Sequence, residues 1–162
     1  MTPTSLSELK KELMLMPSSE LVKICIRLAK YKKENKELLG YLLFDSNYEL
    51  DYITRIKNEM DVLFGAMNTS SIYYAKKNIR KILRITNRYI RYSGQKQTEA
   101  ELRIHFCIKL RQAFIHLPAS ASVDNIFNGQ ILKINQAVSV LHEDLQHDYI
   151  EELRRLNLNI KH

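Results

Sequence analysis

The chain has 162 residues, of which 45% are hydrophobic and 27% charged, with only four Gly and three Pro. This fits a single helical domain over residues 1–162. It is large enough to close a core without disulfide or metal staples and too poor in turn residues for an all-β fold. The net charge of +7, from 25 Lys plus Arg against 18 Asp plus Glu, permits an anionic partner without requiring one.

The N-terminus has no continuous apolar run of the length a secretory signal needs. Apolar runs such as 13–16 and 41–44 fall far short of the ~20 residues of a spanning helix. The expectation is a soluble, cytoplasmic protein with no membrane span. Ser5 and Glu8 stand in capping-box spacing and open a short first helix. Pro17 interrupts it and suits the first turn of the next. There Leu21, Ile24, Cys25 and Leu28 recur at helical spacing as a face to be buried. Lys23, Arg27 and Lys30 lie on its other side. Cys25 and Cys107 form no CxxC or Cys/His cluster and read as small buried hydrophobes in a reducing compartment.

A break is expected near 33–35, with Asn35 able to cap a helix carrying Leu38, Leu39, Leu42 and Leu43. Ser46 and Glu49 repeat the capping-box spacing ahead of a helix marked by Ile53, Ile56, Met60, Leu63 and Phe64. The joint at 68–71 offers several N-caps. The helix after it stops at Ser93-Gly94, where glycine can take the left-handed conformation. Thr98 and Glu101 form a third such spacing, opening a helix with Leu102, Phe106, Leu110, Ala113 and Phe114 inward. Beyond Pro118, Phe127, Ile131, Ile134, Val138, Leu141 and Leu145 alternate in steps of four and three, a coiled-coil-like seam. A last helix carries Tyr149, Ile150, Leu153 and Leu156, continuous with the seam or separated near Asp144. Residues 1–4 and 157–162 are expected to fray.

These signals give an all-α fold of seven or eight helices of unequal length. No fixed repeat period is present, and the arrangement is expected to be α-α superhelix-like or an irregular helical bundle.

Residues 71–96 stand apart electrostatically. They hold Lys76, Lys77, Arg80, Lys81, Arg84, Arg88, Arg91 and Lys96 and no acid. Without these eight, 17 cations face 18 acids, so the net charge belongs to one segment. At about 100° per residue, Ile72, Ala75, Ile79, Ile82, Leu83, Thr86 and Ile90 share one side of a helix. Lys77, Arg80, Lys81, Arg84, Arg88 and Arg91 share another, a cationic ridge with Tyr73 projecting among them.

Three uses of the ridge follow. It docks another protein, the leading reading. It grips RNA or DNA, Arg clasping phosphate and Tyr73 stacking on bases, with Lys23, Arg27 and Lys30 extending the surface. Or it is a solvated or internally paired face, with Glu143, Asp144, Asp148, Glu151 and Glu152 as the candidate counter-charge.

His142 and His147 lie five apart, about 140° round a helix, so they fail the four-residue spacing of a zinc-binding HExxH. The sequence carries no phosphate loop, nucleophile elbow or catalytic triad order. It points to a non-enzymatic scaffold with no cofactor and with an undefined oligomeric state.

The segments KKENKELLGYLLF, AKKNIRKILRITNRYIRYSG and LHEDLQHDY resemble those of a group of small helical bacterial proteins of unknown function, of the kind found in Bacteroidetes. The resemblance spans about residues 9–156. It implies a bacterial, cytoplasmic, all-α protein, and no activity, cofactor or site residue.

Overall fold

A computed structural model describes residues 4–158 and is all-helical there, without strands. In order the elements are α1 (Leu6–Met14), α2 (Ser18–Tyr31), α3 (Lys33–Gly40), a π-helical turn (Tyr41–Asp45), α4 (Glu49–Gly65), α5 (Ile72–Ser93), α6 (Lys96–Ala113), α7 (Ala121–Val138) and α8 (Glu143–Arg155). The chain divides into two compact units, Met1–Asp45 and Ser46–His162. No helix among the described residues is long and apolar enough to cross a membrane.

In the first unit the Ser5–Glu8 capping box forms as read, Ser5 Oγ accepting from Glu8 N and Glu8 Oε2 accepting from Ser5 N at 2.8 Å. The break between α2 and α3 falls at Lys32, whose backbone is extended. Asn35 caps backward rather than forward, its amide donating to the Leu28 carbonyl at 2.8 Å. The expected burial of the α2 face fails: α1, α2 and α3 contain no buried residue. Cys25 is exposed for that reason, whereas Cys107 in α6 is buried.

The second unit is an irregular bundle built around α6. Thr98, Ala100, Leu102, Arg103, Ile104, Phe106, Cys107 and Leu110 are all buried, so α6 is covered on nearly every side. It packs against α4, α5 and α7, and α8 closes on α7. Ile53, Ile56, Met60 and Phe64 of α4 meet it as the sequence pattern required, with Phe64 and Phe106 ring centroids 5.6 Å apart. Burial pushes the Cys107 thiol up to about 12, so it is neutral.

An element buried all round must satisfy its own polar groups. Arg103 is 5% exposed. Its Nε donates to Glu99 at 3.0 Å, and its Nη1 donates to Asn87 of α5 at 2.9 Å and to Gln130 of α7 at 2.6 Å. One guanidinium thus ties three helices. Burial raises the Glu99 carboxyl, but hydrogen bonds from Lys96 and Arg103 outweigh it and hold Glu99 below the ordinary range.

The second and third capping-box spacings are corrected. Helix α4 starts at Glu49 and α6 at Lys96, both without a side-chain cap. Thr98 is buried and its hydroxyl donates to Glu49 Oε1 at 2.5 Å, with Ser93 Oγ a second donor to the same oxygen. Glu101 is likewise taken by tertiary partners, accepting from Lys57 of α4 at 2.5 Å and from Tyr149 of α8 at 2.7 Å.

The seam of α7 divides. Phe127, Ile131, Ile134 and Val138 are buried on α7, and the chain leaves the helix at Ser139 before α8 begins at Glu143. Residues 1–3 and 159–162 lie outside the described residues. Asn157 and Leu158 do not fray. Asn157 N donates to Arg154 O and Leu158 N to Leu153 O, with Asn157 at φ 52°, a Schellman ending with Leu158 2% exposed. Arg111 of α6 donates to the Leu156 carbonyl at 2.7 Å and so anchors the C-terminal end of α8.

Replacing Arg103 with Leu takes the donor away from half-buried Asn87 and buried Gln130 and leaves Glu99 with Lys96 alone. It should cost on the order of 3–5 kcal/mol in urea unfolding, as breaking a buried pair does. Glu101 gives a pH signature. Burial raises its carboxyl, yet the bonds from Lys57 and Tyr149 lower it overall below 4.5. Its stabilisation is therefore present above pH 4.5 and lost as pH falls through the folded value, so the acid limb of a stability–pH curve should flatten in Glu101→Gln.

Candidate functional site

The basic helix is α5. Ser71 caps it, Oγ accepting from Tyr74 N at 3.3 Å, and Gly94 ends it at φ 66°. The inward face is Ala75, Ile79, Ile82, Thr86 and Ile90, all buried. Thr86 satisfies its hydroxyl locally, donating to the Ile82 carbonyl at 2.9 Å. Leu83 is half-buried, at the edge of that face.

The outward face carries Tyr73, Lys77, Arg80, Lys81, Arg84 and Arg91, all exposed, with Arg88 half-buried. Arg88 turns its guanidinium over the Tyr89 ring, 5.6 Å from the centroid. Arg80 donates to Ser122 Oγ of α7 at 3.1 Å. Lys77, Lys81, Arg84 and Arg91 make no ion pair or side-chain hydrogen bond among the described residues. Six of the seven residues expected on the ridge therefore stand in solvent on one side of one helix.

Their placement works against the helix that carries them. Lys77 and Lys81, Arg80 and Arg84, and Arg84 and Arg88 are like charges four residues apart, each pair unfavourable by about 0.2–0.5 kcal/mol. No acid occupies the first turn to offset the macrodipole. The ridge is not there to stabilise α5.

The proposed internal counter-charge does not meet it. No ion pair joins the ridge to Glu143, Asp144, Asp148, Glu151 or Glu152 among the described residues. Helix α8 turns Tyr149 and Leu153 inward and leaves its acids outside. Glu151 pairs with Arg154 on its own helix, and Asp144 lies 3.6 Å from His142. His142 caps α8, its Nδ1 accepting from Asp144 N at 3.3 Å.

Besides Glu99 and Glu101 of α6, acids of α4 reach α5 and α6. Glu59 accepts from the Tyr89 hydroxyl at 2.9 Å, and Asp61 lies 2.6 Å from His105 and 3.1 Å from Lys109. Burial lowers the His105 imidazole despite Asp61, so at neutral pH Nε2–H donates to the carboxylate as a neutral hydrogen bond rather than an ion pair.

Tyr73 and Tyr74 are 68% and 47% exposed, their rings edge-to-face with centroids 5.4 Å apart. With Lys77, Arg80, Lys81 and Arg84 they line a shallow hollow of about 630 Å³. A second hollow of about 510 Å³ at the α5–α6 corner is lined by Arg91, Lys96, Glu99 and Arg103, with Lys133 of α7. Lys133 sits far along the chain in an unremarkable context, and only the α6–α7 packing brings it to Arg91.

Comparison of the chain with protein families, curated proteins and solved structures finds no match.

Because Lys81 and Arg84 are exposed and make no ion pair among the described residues, Lys81→Glu with Arg84→Glu should leave the unfolding free energy measured in urea within about 0.5 kcal/mol of wild type, as surface changes do. A loss well above 1 kcal/mol would mean that the ridge is internally neutralised.

Proposed function

We propose that this chain is a non-enzymatic binding module that docks an acidic protein partner on the outer face of α5. One observation carries the reading: Lys77, Lys81, Arg84 and Arg91 stand exposed on one face of α5 with no ion pair among the described residues, at a local cost to their own helix, while the acids of α8 face outward away from them. Guanidinium groups dominate the C-terminal half of the ridge and suit two-point contacts to carboxylates. Tyr73 and Tyr74 at its start supply the rigid amphipathic contacts that interfaces favour.

A second reading, binding of single-stranded RNA or DNA, is favoured by the same tyrosine pair. Exposed rings beside cations offer a stacking platform next to phosphate contacts.

Fluorescence anisotropy separates the two. The probes are a labelled Asp/Glu-rich peptide and a labelled single-stranded RNA oligomer. The leading reading expects peptide binding that weakens at least tenfold in Lys81→Glu with Arg84→Glu, a loss of about 1.4 kcal/mol or more. Tighter binding to the RNA, falling on the order of 10³-fold between about 50 and 200 mM salt, would replace it with the second. In that case Tyr73→Ala should cost about 1–3 kcal/mol. Failure of the wild type to bind either probe rejects both.

A further inference from the structure

The first unit exposes apolar side chains of a size that a folded chain ordinarily hides. Phe44 is 74% exposed, Leu43 62% and Ile26 47%. Tyr41 is the one buried side chain among residues 4–45. Exposed apolar patches of this kind mark contact surfaces for proteins or membranes. What surrounds Phe44, Leu43 and Ile26 decides between the two.

Ile26 and Ala29 of α2 line a hollow of about 630 Å³ with Leu39, Leu43 and Phe44 of the segment that follows. Lys30, Lys32, Lys33 and Lys36, all exposed, complete its wall with Gly40, and no acid does. Lys33 pairs with Glu37 at 3.5 Å, and the Lys32 ammonium lies 5.9 Å from the centroid of the Tyr31 ring. Lys30 and Lys36 make no ion pair among the described residues. The hollow thus joins apolar carbon to positive charge that its own wall does not offset.

Two features select the ligand. The wall offers no hydroxyl, carboxamide or carboxylate side chain, whereas a protein interface carries about one hydrogen bond per 100–200 Å². Its cations are all lysine. Lysine is a compact charge on a flexible stem, which lies along apolar surface while the ammonium reaches for anions at varied positions. Two-point grip on a fixed carboxylate is the strength of arginine, which this wall lacks. Apolar contact with diffuse negative charge behind it is what a lipid surface supplies. We propose that the α2–α3 face docks on an anionic lipid bilayer. Phe44, Leu43 and Ile26 enter the boundary between headgroups and acyl chains, and Lys30 and Lys36 meet the lipid phosphates and carboxylates. The contact lies on the bilayer and does not span it.

The chain has no tryptophan, so Phe44→Trp supplies a single reporter at the proposed depth. The full chain is mixed with vesicles of equal parts phosphatidylcholine and phosphatidylserine, and with vesicles of phosphatidylcholine alone. Cosedimentation should show binding at least about tenfold tighter to the anionic vesicles. The emission of the introduced tryptophan should shift to the blue on binding and be quenched when the phosphatidylcholine carries brominated acyl chains. Lys30→Gln with Lys36→Gln should weaken binding about 20-fold. Both lysines are exposed, so the variant keeps its fold, checked by an unchanged circular dichroism spectrum. Lys81→Glu with Arg84→Glu on α5 should leave the blue shift and the quenching in place, which separates this contact from the α5 face and from the general attraction of a basic chain. A wild type that does not bind the anionic vesicles overturns the proposal, whether or not an acidic peptide binds this face in their place. So does binding without blue shift and quenching, or binding that the loss of Lys30 and Lys36 leaves unchanged.

Discussion

A guanidinium that is 5% exposed cannot remain in a helical core unless every neighbour answers it. Arg103 is held by Glu99 on its own helix, by Asn87 on α5 and by Gln130 on α7. The rest of the second unit is arranged to permit this. Helix α6 is buried on nearly all sides, so its remaining polar groups also reach across helices, Thr98 and Glu101 to α4, Glu101 and Arg111 to α8. These contacts fix which side of α5 faces inward, because Asn87 must meet Arg103. The outer side is what is left, and it is where the cations lie.

The character of α5 was legible because its signals are local. A serine cap, a left-handed glycine stop and apolar residues at helical spacing all act within a few residues. The same local logic misled at Glu49 and Thr98. Both sit in capping-box spacing, yet the carboxylate of Glu49 is worth more to the buried hydroxyl of Thr98 than to its own helix end. At Asn157, where composition alone suggests a frayed tail, a short polar residue supports a left-handed turn that returns Leu158 to the core. Local pattern names the groups that need partners and is silent on which distant group supplies them.

That distinction also decided the acidic stretch. Its composition made it a natural counter-charge for the ridge. Nothing in a sequence says which helix lies beside which, and the Tyr149–Glu101 bond commits α8 to α6 instead. Burial on α2 failed for a related reason. The periodic apolar face at Leu21, Ile24, Cys25 and Leu28 is real, but periodicity marks a surface that wants cover and does not show that the same chain provides it. The two units thus leave different surfaces open, an apolar one on α1–α3 and a cationic one on α5.

The central claim is that Lys81 and Arg84 on the outer face of α5 are not neutralised by the other described residues. The salt dependence of thermal unfolding tests it most directly, comparing wild type with Lys81→Gln plus Arg84→Gln. Salt screens repulsion and attraction alike, and the shared background cancels between the two proteins. An uncompensated ridge predicts that the melting temperature of the wild type gains more from added sodium chloride than that of the variant. A wild type that loses more than the variant would show that these cations are held by attraction within the chain, and would contradict the account.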